Sequence, residues 1–439
     1  MKNSAKHKRL ILTLLVLCLA IGISGTTLAA EATRISVWLR GNPQYLEAYQ
    51  ALADMFMKDN PDIEVSLSLY ADLEDKLLTS AMGGAAPDAW IIDTVTTGRW
   101  VRYGIVAEID RNSFPDSDKM LDVAWATNRG PDGKYYGVPW SVQGQAMYYR
   151  QDWLDKFGQP IPTNWDEMIE FAKYVTFNDP DGNGLNDTYG ISVYGSTNRG
   201  YAYWTFQDWV WQAGGSVLKE VDDGKWVSNL NTPEVKAALE FERDMAHKHK
   251  IFQPGFATAD SAAVYGTFQD GAAGMVFHAG YRILEYKARL EERLATALMP
   301  AGPAGGYVLG EGENLYMSKT TKHPEAVYRW MKFMTSPEAQ IFGITNKISN
   351  VCRVSIRSDI DTAAVSGEPL MEPFVDVFRK NLVRFPEPIV DYYPVKLLAS
   401  EVVQEVLLDP KTDIDALVVK YDKKINEELK KQDMYGGKQ

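Results

Sequence analysis

Beyond the first thirty residues, the apolar positions of this chain switch repeatedly between two periods. Ile35-Ser36-Val37-Trp38-Leu39 alternates like a strand and runs into a polar loop at Arg40-Gly41-Asn42-Pro43. Over 45–58, Leu46, Tyr49, Ala53 and Phe56 fall at helical spacing, and Asn60-Pro61-Asp62 stops the helix. A strand resumes at 63–67, a helix follows at 73–82 and ends in Gly83-Gly84, and 89–92 reads as a third strand. Strand and helix in strict turn predict a parallel sheet with crossover helices, and so an α/β fold.

The remainder is more helical. A helix is predicted over 165–175, with Thr163 as N-cap and Glu167 in its first turn. An aromatic helix at 203–212 closes in Gly214-Gly215, and Pro233 opens a long one to about 248. Further elements are a helix at 261–268, a strand at 273–278, and helices at 324–334, 337–342, 395–408 and 414–431. Neither an internal repeat nor a low-complexity tract is present.

The first thirty residues read differently. Lys2, Lys6, Lys8 and Arg9 precede an apolar run over 10–23, and small residues follow around Thr27-Leu28-Ala29-Ala30, the layout of a cleaved secretory signal peptide. The run is about 14 residues, short of the roughly 20 that span a bilayer as a helix. Cys18 follows Leu17 inside that run, which argues against a lipoprotein anchor. Its loss would leave Cys352 alone, so no disulfide is expected despite an extracytoplasmic, periplasmic-type location. About 410 mature residues exceed one core and imply two lobes. The net charge of −12 becomes about −16 without the four leader cations, which speaks against nucleic acid or an anionic membrane as partner. All 12 Trp and 23 Tyr lie in the mature region. Such rings suit the flat C–H faces of sugars, although many must be core.

Several blocks, in order over about 300 residues, resemble the family 1 extracellular solute-binding proteins, the group that includes maltose-binding protein. They are Pro61-Asp62-Ile63-Glu64-Val65, Gly83-Gly84-Ala85-Ala86-Pro87-Asp88, Tyr136-Gly137-Val138-Pro139-Trp140 and Met147-Tyr148-Tyr149-Arg150-Gln151-Asp152. Thr163-Asn164-Trp165-Asp166-Glu167, Phe268-Gln269-Asp270-Gly271-Ala272-Ala273-Gly274-Met275 and Ser336-Pro337-Glu338-Ala339-Gln340 complete the set. Arg150 stands where Asn is commoner, and Asn164 looks inserted. The resemblance implies a two-lobed periplasmic-binding-protein fold, type II-like, with two discontinuous α/β lobes. About three hinge crossovers are expected near 141–145, 309–313 and 349–353. The first lobe would then comprise 31–142 plus 310–350, and the second 143–309 plus 351–439, with 1–30 as the signal peptide. Implied partners are a carbohydrate held in the interlobe cleft and the membrane permease of an ABC importer, with the protein itself a monomer.

Carried over from the family's ligand loops, the candidate ligand-binding residues are Trp38, Arg40, Asn42, Asp93, Trp140 and Gln143 in the first lobe and first crossover. Glu311 and Glu313 fall on the second crossover, and Trp204, Tyr281, Arg282, Tyr392 and Tyr393 belong to the second lobe. Asp93 could instead cap a helix, and His278 could be a contact or a structural histidine. Trp90, Trp100 and Trp209 read as core.

A second site is legible from the residues alone. Asp179, Asp181 and Asn183 occupy positions 1, 3 and 5 of an EF-hand-like loop, with Gly184 at 6, the carbonyl of Leu185 at 7 and Asp187 at 9. Gly190 replaces the bidentate Glu at position 12, so any structural Ca²⁺ would be held weakly. A solvated polar loop is the alternative. Two functional alternatives also stay open. A secreted glycosidase would use paired carboxylates, and the same fold could bind a non-sugar or an acidic sugar, which Arg40, Arg282 and Arg353 would suit. No catalytic residues are assigned.

Overall fold

The computed structural model describes residues 31–437; the signal-peptide expectation and Cys18 lie outside them. Thirteen strands follow in chain order: β1 (Thr33–Arg40), β2 (Ile63–Tyr70), β3 (Ala89–Asp93), β4 (Val138–Gly144), β5 (Ala146–Arg150), β6 (Tyr189–Ser192), β7 (Leu218–Asp222), β8 (Lys225–Ser228), β9 (Ala273–His278), β10 (Leu294–Ala297), β11 (Val308–Met317), β12 (Val354–Ser355) and β13 (Val383–Arg384). They form two main sheets and the small β7–β8 ribbon. The larger sheet has the order β12-β4-β11-β3-β1-β2, with β13 beside β11; the other is β10-β5-β9-β6.

The alternating first third folds as its periodicity predicts. β1 pairs in parallel with both β2 and β3, and the helices Pro43–Asp59 and Leu73–Met82 make the crossovers. Pro43–Asp59 turns Ala48, Tyr49, Leu52, Ala53 and Phe56 into the core, where Phe56 meets the edge of Trp330. The expected N-cap at Thr163 moves one residue on. Asn164 caps helix Trp165–Phe177 by accepting from the Glu167 N–H, while the Glu167 carboxylate reaches back to the N–H and hydroxyl of Thr163. The inserted-looking Asn thus splits the capping box between two residues. The helix opened by Pro233 ends its α-helical part at Arg243 and continues to His249 with wider π-type winding.

Two halves share one hydrophobic core system, and the chain passes between them three times. β4 leaves the larger sheet at Gly144, and β5 enters the smaller one at Ala146. β11 begins beside β13 in contact with the second half, where Asp208 accepts from the Leu309 N–H at 2.6 Å, and ends paired to β3. The third passage comes later than the 349–353 expectation. Val354 and Ser355 pair with β4, and Arg357 packs beside Asp116 and Asp359. Beyond β12 the chain is bonded to the second half at Glu368, which pairs with Lys287, and at the Leu370 carbonyl, which accepts from Thr296. Residues 351–366 therefore complete the first half, because β12 supplies the outer strand of its sheet. Among the described residues, no helix is long and apolar enough to cross a membrane.

Candidate ligand-binding cleft

A cavity of about 690 Å³ opens between the halves, floored by the passages. Its first wall comes from strand ends and helix starts of the larger sheet. Arg40 ends β1 and Asp93 ends β3, so parallel pairing brings them side by side as an ion pair. Glu74, in the first turn of Leu73–Met82, holds Arg99 at 2.6 Å. Arg99 also lies 3.8 Å from Asp391 of the opposite wall. These are the carboxyl ends of parallel strands, where open α/β sheets place their ligands.

The floor is polar. Gln143 on β4 donates to Glu311 on β11 at 3.0 Å, and Arg353, just before β12, donates to the Tyr45 hydroxyl. Burial pushes the Glu311 carboxyl above its ordinary range, with Lys396 and Arg353 pulling against it. Asp93 is also raised by burial, but Arg40 outweighs that and leaves it below the usual range.

The second wall is aromatic. Tyr201 and Trp204 project from helix Tyr201–Gln212, meeting edge to face at 5.2 Å. Tyr281 follows β9, and Tyr392 and Tyr393 start helix Tyr393–Leu408; all line the cavity. Hydroxyl pairs fix the rings: Tyr203 donates to Tyr392 at 3.1 Å, and Tyr281 bonds to Tyr265. Lys396, one turn beyond Tyr392, lies 5.1 Å from the Trp204 ring.

Arg40, Asp93, Gln143, Trp204, Tyr281, Glu311, Tyr392 and Tyr393 thus share one cavity. Five expected residues lie elsewhere. Trp38 packs on Tyr70 at 4.7 Å in a satellite core. Asn42 caps helix Pro43–Asp59 by accepting from Tyr45. Trp140 is fully buried beside Tyr49 and Gly343, because β4 is covered on both faces. Arg282 lies over the Tyr265 ring at 4.2 Å and pairs with Glu285, bracing Tyr265 behind the wall. Glu313 lies below the floor and accepts from Tyr49. Asp93 makes no side-chain cap bond. His278 is a buried structural group between the Ala279 carbonyl and the Tyr286 hydroxyl. Trp90, Trp100 and Trp209 are core.

Sequence reasoning missed Glu74, Arg99, Arg199, Tyr201 and Lys396 in the lining. Lys396 alone left a trace, falling at helical spacing from Tyr392 and Tyr393.

The residues expected to bind calcium are on an exposed loop outside this cavity. The Asp179 carboxylate accepts from the backbone of Gly182, Asn183 and Gly184. Asn183 turns its oxygen to the Leu185 N–H and its NH₂ toward Asp181 and Asp187. Among the described residues, no group of three or more His, Cys, Asp or Glu is arranged to hold a metal ion.

Two α/β halves joined by three chain passages, with a cleft of rings and ion-paired polar groups between them, have the architecture of a solute-binding protein. Residues 41–341 match the family described as bacterial extracellular solute-binding protein, and the chain belongs to that family. A putative binding protein of Brucella abortus is 25% identical over 65% of this chain and 68% of its own. The maltotriose-binding protein of Pyrococcus abyssi is 24% identical over 89% and 82% respectively. Among solved structures, maltose-bound MalE3 of T. maritima superposes with a TM-score of 0.74 at 23% identity, covering 91% of this chain and all of that one. MalE of Xanthomonas citri gives 0.77 at 22% identity, covering 91% and 98%. At these identities the structures establish the fold alone.

Proposed function

We propose that this protein captures a carbohydrate of more than one sugar unit in the interlobe cleft and presents it to an ABC-type importer outside the cytoplasm. The observation that carries this reading is the division of labour across the cavity, where rings on one wall face charged and amide groups on the other. Aromatic faces set the plane of a sugar ring, and ionised side chains read its hydroxyls through charge-assisted bonds. A solute touching both walls would give the closed state its extra affinity. The carbohydrate ligands named for relatives such as the maltotriose-binding protein support it. The volume, about 690 Å³, sits within the roughly 300–1,000 Å³ typical of small-molecule sites. Cleavage of the leader at 1–30, a monomeric state and docking to permease subunits belong to the same proposal.

A thermal-shift screen of mono- and oligosaccharides tests it, since a ligand that binds only the native state raises the melting temperature. A rise with an oligosaccharide, without turnover of that sugar, is the expected result. No shift with any saccharide would remove the carbohydrate, and release of hydrolysis products would replace capture by glycosidase chemistry.

A further inference from the structure

The charges of the cleft are unevenly matched. Arg40 and Arg99 each face a carboxylate within bridging distance. Lys396 and Arg199 line the same cavity, yet among the described residues neither makes a side-chain hydrogen bond or a salt bridge. The Lys396 stem is laid down by local geometry. Gly200 has φ of +71°, and a Cβ there would stand 2.7 Å from the Lys396 Cγ and 2.8 Å from its Cε. Only a glycine lets the stem cross that backbone and bring the ammonium beside Trp204. Arg199, the neighbouring residue, holds a left-handed φ of 52°.

Both cations also sit where helices disfavour them. Lys396 is in the first turn of Tyr393–Leu408, and Arg199 stands one residue before Gly200, the N-cap of Tyr201–Gln212; neither helix has an acidic residue in its first turn. Helix N-termini carry partial positive charge and favour anions. Two positive side chains and two helix starts therefore line the cavity that Trp204 also lines, with Lys396 beside its ring. Glu311 and Asp93 act on Lys396 only through space, and burial lowers its ammonium below the usual lysine range.

From this juxtaposition we propose that the ligand carries an anionic substituent, and that Lys396 and Arg199 bind the carboxylate of an acidic sugar whose ring lies on Trp204. The inference rests on the carbohydrate reading above and narrows it to uronic acids. A guanidinium can take both oxygens of a carboxylate and a lone ammonium adds a further donor and charge; the same donors could serve a phosphate or sulfate ester, which the test below separates from a carboxylate.

The test is calorimetric titration of the mature chain with uronic-acid disaccharides, each also as its methyl ester, which keeps the skeleton and removes the charge. The acid is expected to bind about tenfold tighter than its ester, equivalent to about 1.4 kcal/mol, with the gap narrowing as salt is raised. Lys396→Met should collapse the acid-to-ester ratio toward one, and the exposed Arg199→Gln should reduce it. Equal affinity for acid and ester would overturn the proposal, as would loss of both by the same factor in Lys396→Met. Preference for a sulfated or phosphorylated sugar would overturn the carboxylate assignment. Binding of neutral oligosaccharides alone would overturn the acidic class while leaving sugar capture intact; failure of every saccharide would remove the carbohydrate reading itself.

Discussion

The two walls of the cleft were built from the same residue types but use them in opposite ways. In the first half, Trp90, Trp100, Trp125 and Trp140 are sealed in the interior, and the cavity receives charged side chains at strand ends and helix starts. In the second half, Trp204 and several tyrosines face the cavity, while other rings, such as Trp209 against Trp165 and Phe241, pack into the core. A wide mixed sheet covered on both faces consumes large rings as core. A helix lying along the rim can spare some for the cleft.

The comparison breaks most sharply at Trp140. Its replacement by Ala should cost about 3–5 kcal/mol of stability, the range for large aromatic truncations in a core. Thermal or urea unfolding should show this, while binding per folded molecule holds. Trp204→Ala should do the reverse, weakening sugar affinity by about 30-fold, as expected for an interfacial aromatic anchor worth about 2 kcal/mol, with little change in unfolding midpoint. Equal stability losses in the two variants would erase the distinction between the walls.

Buried charge offers a second contrast. Arg357 in the first half is matched by Asp116 and Asp359, but Glu242 in the second is buried with neither oxygen bonded. Burial pushes its carboxyl from the ordinary 4.5 to about 8. Between those values the unfolded chain loses a proton that the native protein keeps, so stability falls as pH rises, by up to about 1.4 kcal/mol per pH unit. Glu242→Gln should flatten this dependence, and the difference in melting temperature between variant and wild type should grow from pH 5 to pH 8. Parallel curves would return the slope to other groups.

The contact between the walls gives a smaller effect. Ile389 and Val390 press on Gly98, where a Cβ would stand 2.4 Å from the Ile389 carbonyl oxygen. Gly98→Ala should hold the lobes apart at a cost of about 1–3 kcal/mol, as for overpacking, weakening ligand affinity and enlarging the radius of gyration in solution scattering. The smallest effect is expected at the Asp179 loop. Calcium titration after chelation should raise the melting temperature slightly, as weak binding to the native state would, and an unchanged curve would remove the ion from the loop.

Much of this was legible before folding. Period-2 and period-3.6 patterns located β1 to β3 and their helices, because each element hides one face and the hidden face must be apolar. The ordered blocks pointed to the family, and the strand ends carrying Arg40 and Asp93 followed from its loops. The Leu218–Asp222 strand was missed because every residue after Leu218 is exposed, and Lys225–Ser228 because four residues are too few to show a period.

What the amino-acid order determined by itself was the succession of elements and the supply of rings and charges. Which rings would face a ligand was decided only by tertiary packing. Every residue of Val138–Gly144 is buried, so alternation along that strand cannot separate the face toward a cleft from the face toward a helix. Likewise, nothing local couples Gly200 to Lys396, or Arg99 to Asp391. Gly200 and Lys396 meet because two helices far apart in sequence pack within the second half, and Arg99 and Asp391 because the two halves close over one gap; contact of either kind has no period to read.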